Sequence, residues 1–132
     1  MVVVDSNVLL DVATADPRWC DWSTTQLSQW LDRGRVVINA IVYGEIAFAL
    51  ETIESVDELL PPHRFDYRAL PREAAFLAAR AHTGYRSRVG QRRSILPDFL
   101  IGAHALVERL PLLTRDLRRY RQAFPGLELI SP

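Results

Sequence analysis

The sequence predicts an α/β fold: a small, mostly parallel central sheet of four or five strands with helices on both faces. Three observations carry the prediction. Residues 1–4 and 35–39 are short β-branched runs with no polar alternation, as in strands covered on both sides. Helix-spaced segments separate such runs, and strand–helix alternation produces parallel sheets. The 132 residues, 48% apolar and 24% charged, suit one domain over residues 1–132 and are too few for two cores.

The elements follow in order. "MVVV" is the first strand, and it runs straight into Asp5. Ser6 and Asn7 are placed to cap a short helix over 7–13. Pro17 starts the next helix, which carries Trp19, Trp22, Leu27, Trp30 and Leu31 and ends at Gly34. "RVVIN" is a strand, and "AIVYGEIAFALETI" (40–53) spaces its apolar residues for a helix. Residues 54–60 prolong that helix or begin another, and Pro61-Pro62 stops it. "RFDYRAL" (64–70) is a weak strand, and the Ala-rich segment 71–86 is helical behind Pro71. "GYRSRVGQRRS" (84–94) reads as a Gly- and Arg-rich loop, followed by a helix over 95–110. "PLLT" (111–114) is a brief strand, 115–124 a short helix, and "LELI" (127–130) the last strand.

Composition excludes several classes. No apolar run approaches the ~20 residues of a membrane span. The first residues lack a basic segment and a cleavage-like site, so no signal peptide is expected and the expected location is the cytoplasm. Cys20 is the only cysteine, which leaves no internal disulfide and no cysteine zinc site. The net charge of zero hides a split. Residues 1–60 hold ten acids and three arginines, net −7; residues 61–132 hold thirteen arginines and six acids, net +7. Such asymmetry fits a nucleic-acid partner, and equally two solvated faces of opposite sign. All sixteen basic residues are Arg, so chemistry that needs a lysine amine is excluded.

Ligands of parallel sheets bind beyond the carboxyl ends of the strands. Asp5 ends the first strand, Glu45 lies one turn into the helix after the second, Asp98 opens a helix, and Asp116 follows "LLT". Each has a plain structural account, such as capping or interaction with a helix dipole, worth about 0.3–1 kcal/mol. Together they ask for more. Carboxylates gathered within ~5 Å repel and raise one another's pKa unless a cation lies among them. An all-oxygen donor set suits Mg²⁺ or Mn²⁺, one or two ions, and such sites serve phosphoryl transfer with water as nucleophile. Asn7 and Thr114, each two residues from one of these acids, are placed to support them. Asp11 lies farther along the first helix and reads as peripheral.

"VVVDSNVLLDV", "INAIVYGEIAFAL", "LPDFLIGAHAL" and "LLTRDLRRYRQAFPGLELI", in that order, resemble the PIN-domain ribonucleases and, more closely, the VapC-type toxins of bacterial toxin–antitoxin systems. The resemblance spans Val2 to Ile130. It implies a three-layer α/β/α sandwich and a Mg²⁺- or Mn²⁺-dependent endoribonuclease with Asp5, Glu45, Asp98 and Asp116 as catalytic and metal-binding residues. It also implies a cognate antitoxin that blocks the acidic cleft, and a homodimer. Ser6 departs mildly from the pattern, which often has Thr there.

Arg86, Arg92 and Arg93, in the loop before Asp98, and Arg115, beside Asp116, are the candidate contacts to RNA phosphates. His104 lies on an apolar helix and reads as packed; His63 and His82 have no partner at recognisable spacing. The tryptophans read as core or protein interface. Leu50, Leu59 and Leu60 look exposed and are candidates for either protein interface. Two alternatives stand. A PIN-like module without activity would bind RNA or protein only. A receiver-type signalling domain needs paired acids after the first strand, an acceptor Asp at mid-chain and a late Lys, none of which is here.

Overall fold

The computed structural model describes residues 1–89 and 96–132, with backbone alone for 86–89. The elements are β1 (Val2–Val4), α1 (Ser6–Ala13), α2 (Cys20–Arg33), β2 (Val36–Ile38), α3 (Ala40–Ala49), α4 (Ile53–Leu59), β3 (Phe65–Tyr67), α5 (Arg72–Val89), α6 (Leu96–Glu108), β4 (Leu112–Leu113), α7 (Leu117–Ala123) and β5 (Leu129–Ile130). The five strands form one sheet in the order β3-β2-β1-β4-β5, every pairing parallel. The architecture is the expected three-layer α/β/α sandwich.

β1 is the central strand. Val3 sits opposite Val37 on one side and Leu112 on the other. Successive strand side chains point to opposite faces, and Val2, Val3 and Val4 are all fully buried. Both faces of the sheet are therefore covered, as the unalternating valines predicted. α6 packs on β1 and against α5, and α1 packs against α2 and α3. Gly102 lets α6 and α7 approach: a Cβ there would lie 2.8 Å from the Tyr120 ring and 3.0 Å from the Phe124 ring. The ring of Tyr120 is thereby fixed from below, with consequences for the site.

Several boundaries differ from the sequence reading. Ser6 and Asn7 do not cap α1; they are its first residues, and Asp5 takes the N-cap position without a side-chain capping bond. α2 begins at Cys20, because Asp16 ties the preceding turn through the Arg18 and Trp19 amides. The 40–53 segment breaks at Leu50, and α4 starts afresh with Thr52 accepting the Ser55 amide. Gly34 ends α2 at φ 151°, a conformation L side chains rarely adopt. α5 continues through Gly84 to Val89, where a loop was expected. One helical glycine costs about 1 kcal/mol, which the long α5–α6 packing offsets.

Leu50, Leu59 and Leu60 are not exposed. Leu60 belongs to the core, and Leu50 and Leu59 pack against it. The apolar side chains that segment does expose are Phe48 (96%) and Ile53 (63%). Trp22 and Trp30 pack against the core as read from sequence.

Candidate metal centre and active site

The parallel sheet brings its chemistry to one edge. The Asp5 amide donates to the Leu113 carbonyl at 2.9 Å, so the chain leaves β1 beside the end of β4. Because Asp5 makes no capping bond, its carboxylate is free to turn into the crevice. Glu45 comes from α3, Asp98 from the first turn of α6, and Asp116 from the turn after β4.

Neutral donors surround Asp5. Its Oδ2 accepts from Thr114 Oγ1 at 2.8 Å, the Tyr120 hydroxyl at 2.9 Å and Asn7 Nδ2 at 3.3 Å. Thr114 Oγ1 in turn accepts the Asp116 amide at 3.0 Å, and Asn7 Oδ1 accepts the Arg115 amide at 3.2 Å. Asn7 holds the carboxylate of its neighbour Asp5, whereas Thr114 donates to Asp5 across the sheet and meets Asp116 only through its backbone amide, so the two residues tie the end of β1 to the end of β4. The Ser6 hydroxyl donates to Glu45 Oε1 at 2.9 Å and lies 3.5 Å from Asp5 Oδ1. Asp116 also caps α7, accepting the Arg119 amide at 3.2 Å.

The four acids act electrostatically on one another. Burial pushes the Asp5 carboxyl up to about 6, the Asp98 charge adds to this, Thr114 and Tyr120 oppose it, and the Glu45 charge raises it further. Burial also raises Glu45 against its Ser6 hydrogen bond, with the Asp98 charge adding. Asp98 is raised by burial, held back by Arg119 and pushed again by the Asp116 charge. Tyr120 is buried, and the Asp5 and Asp98 charges add to the rise in its pKa well above 10, so it remains a donor. Crowding that disfavours the charges of Asp5, Glu45 and Asp98 is the condition a bound cation relieves.

The donor set fits a hard divalent ion, being carboxylate and hydroxyl oxygens without thiols. Among the described residues, no three His, Cys, Asp or Glu side chains stand ready at metal-ligand spacing. Arg119 explains part of this. Its Nη1 contacts Asp98 Oδ2 and lies 3.3 Å from Asp116 Oδ2, so a guanidinium stands between two of the acids.

At Arg115, Asp11 and Tyr120 the structure departs from the sequence expectation. Arg115 does not reach out for substrate. Its Nε and Nη2 grip both oxygens of Asp11 at 2.6 and 2.9 Å, and its guanidinium lies over Trp19 at 5.3 Å. Asp11, read as peripheral, is only 2% exposed and also accepts from Ser23 at 2.6 Å. Tyr120, absent from the sequence-based candidates, stands four residues after Asp116, one helical turn on. Arg92 and Arg93 lie outside the described residues, and of Arg86 only the backbone, in α5, is described. His104 is packed as expected: it is buried, its Nδ1 meets Asn39 Nδ2 at 2.9 Å, and burial lowers its pKa.

Beside Glu45 opens an apolar groove of about 550 Å³, lined by Leu10, Ala40, Ile41, Gly44, Phe48 and Pro97.

The family model for the PIN domain matches residues 2–125. No curated protein matches the chain. Among solved structures, VapBC2 from Rickettsia felis bound to a promoter DNA fragment is similar at 18% identity and TM-score 0.70, covering 99% of this chain and 98% of the other. A toxin–antitoxin complex from Klebsiella pneumoniae is similar at 20% identity and TM-score 0.67, covering 100% and 98%. FitAcB from Neisseria gonorrhoeae is similar at 19% identity and TM-score 0.65, covering 100% and 98%. At these identities the likeness is one of fold.

Proposed function

The chain belongs to the PIN-domain family, and from that premise we propose that it is a toxin-like, divalent-metal-dependent endoribonuclease held in check by a cognate antitoxin. The observation that carries the reading is the gathering of Asp5, Glu45, Asp98 and Asp116 from four separate segments, in which Asp98 acts on Asp5 and Glu45 and the Asp116 charge acts on Asp98. Membership of a nuclease family sets aside the receiver-type alternative.

Bound Mg²⁺ or Mn²⁺ would supply water activation and neutralise phosphate charge. Asp5, Asp98 and Asp116 would hold it, with Glu45 beside them. The protein's own work is positioning. Three donors on Asp5 Oδ2 fix that carboxylate and leave Oδ1 turned toward Ser6 and Glu45. Ser6 engages Glu45 Oε1 and leaves the second carboxylate oxygen for water. Glu45, raised by burial, is suited to hold a proton taken from an attacking water. Arg86, Arg92 and Arg93 remain the proposed phosphate contacts, being a basic run leading into Asp98; Arg115 is withdrawn from that role.

The likeness to VapBC and FitAcB assemblies supports an antitoxin partner. The groove beside Glu45, with Phe48 exposed, is where an apolar antitoxin segment would lie over the acids. A homodimer belongs to the same proposal. No helix among the described residues is long and apolar enough to cross a membrane.

The test is direct. Purified chain is incubated with total RNA in Mg²⁺, in Mn²⁺, and with excess EDTA, and product ends are sequenced. Discrete ends that form with metal and vanish with EDTA are expected. Intact RNA with both metals, or undiminished cleavage in EDTA, overturns the proposal.

A further inference from the structure

Among the described residues, Arg119 is the one cation that touches any of the four acids, and it meets two of them, Asp98 and Asp116. Asp5 and Glu45, among the described residues, are met by the neutral groups of Ser6, Asn7, Thr114 and Tyr120. Arg119 stands three residues after Asp116 in the first turn of α7, a spacing at which a side chain reaches back to its neighbour. Its backbone amide occupies Asp116 Oδ1, and a single guanidinium nitrogen, Nη1, takes both Asp116 Oδ2 and Asp98 Oδ2. With Asp116 Oδ1 taken by the Arg119 amide, Oδ2 is the oxygen Asp116 has left for a cation, and the guanidinium faces that oxygen and Asp98 together. The Arg119 side chain is 28% exposed, so it has room to leave.

We propose that Arg119 is a resident counter-ion of this centre, which a divalent ion joining Asp98 and Asp116 must displace, so that Arg119 sets the metal affinity. The inference rests on the metal-site reading above but not on RNA cleavage. The guanidinium balances part of the acids' repulsion in the metal-free protein and competes for the same oxygens when metal arrives. Restoring the free carboxylates therefore favours the metal.

The experiment counts free Mn²⁺ by room-temperature EPR during titration of the full chain. Arg119→Ala is expected to bind Mn²⁺ roughly tenfold more tightly than the parent, the scale of one charge-assisted contact removed from competition. Arg119→Lys keeps a cation and is expected between the two. Arg118→Ala removes the same charge from the exposed neighbouring position and is expected to change affinity by less than about twofold, separating displacement from general electrostatics. Arg119→Gln, similar in reach, replaces the alanine variant if α7 is disturbed. Equal or weaker binding in the Arg119 variants, with a parent that binds Mn²⁺, overturns this inference alone. Failure of every protein to bind Mn²⁺ overturns the metal-site reading and this inference with it.

Discussion

Asp5→Asn is expected to lose RNA cleavage by two to three orders of magnitude or more, the scale of removing a preorganised charge at a reacting centre, while the metal-free protein becomes more stable at neutral pH. The amide keeps the shape of the carboxylate, and its oxygen can still accept from Thr114 and Tyr120. What disappears is a buried negative charge beside Asp98 and Glu45. The sign follows from the raised pKa. Protonated Asp5 contributes stability that is fully present below the ordinary value of 3.8 and is lost as pH rises through about 6. The parent without metal should therefore weaken across that window, and Asp5→Asn should escape that part of the loss. Urea melts in EDTA at pH 4.5 and 7.5 check it. The advantage of the variant should be larger at pH 7.5; equal advantages, or full cleavage activity, would contradict the assignment.

Arg115→Ala is expected to destabilise the fold by about 2–4 kcal/mol, below the 3–5 kcal/mol typical of a fully buried pair because the Arg115 side chain is 27% exposed. The loss comes from Asp11, whose buried carboxylate would keep only the Ser23 hydroxyl. The double variant Asp11→Leu/Arg115→Ala should recover part of it, since no charge is then stranded. Denaturant melts of the two variants and the parent make the comparison. A stable Arg115→Ala protein whose RNA affinity falls would return Arg115 to the substrate-contact role.

The position of Asp5 at the end of a strand was legible because a β-branched run is followed at once by an acid, and that of Asp116 because it stands two residues after the short run Leu112–Thr114. The contact of Asn7 with Asp5 was legible because two residues is a short, stiff distance; that of Thr114 with Asp5, 109 residues away, was not. The grip of Arg115 on Asp11 was not: the two are 104 residues apart, and nothing local says that β4 lies beside β1. Ser6 looked like a cap because a hydroxyl after a strand usually is one; here Asp5 takes that position, and Ser6 is released to Glu45. Tyr120 carried a usable signal, one helical turn from Asp116, but its partner Asp5 is 115 residues away. The run of α5 past Gly84 is decided by packing on α6, which outweighs glycine's local preference.

Mn²⁺ titration of the parent beside Asp5→Asn and Asp98→Asn reaches furthest into the account, because it asks whether carboxylates from two distant segments serve one ion. Each single change should weaken Mn²⁺ binding by tenfold or more, as loss of one charged ligand does on the scale of about 1.4 kcal/mol per decade. A parent that binds Mn²⁺ while either variant binds it equally well would mean that these acids share an edge of the sheet without sharing a metal.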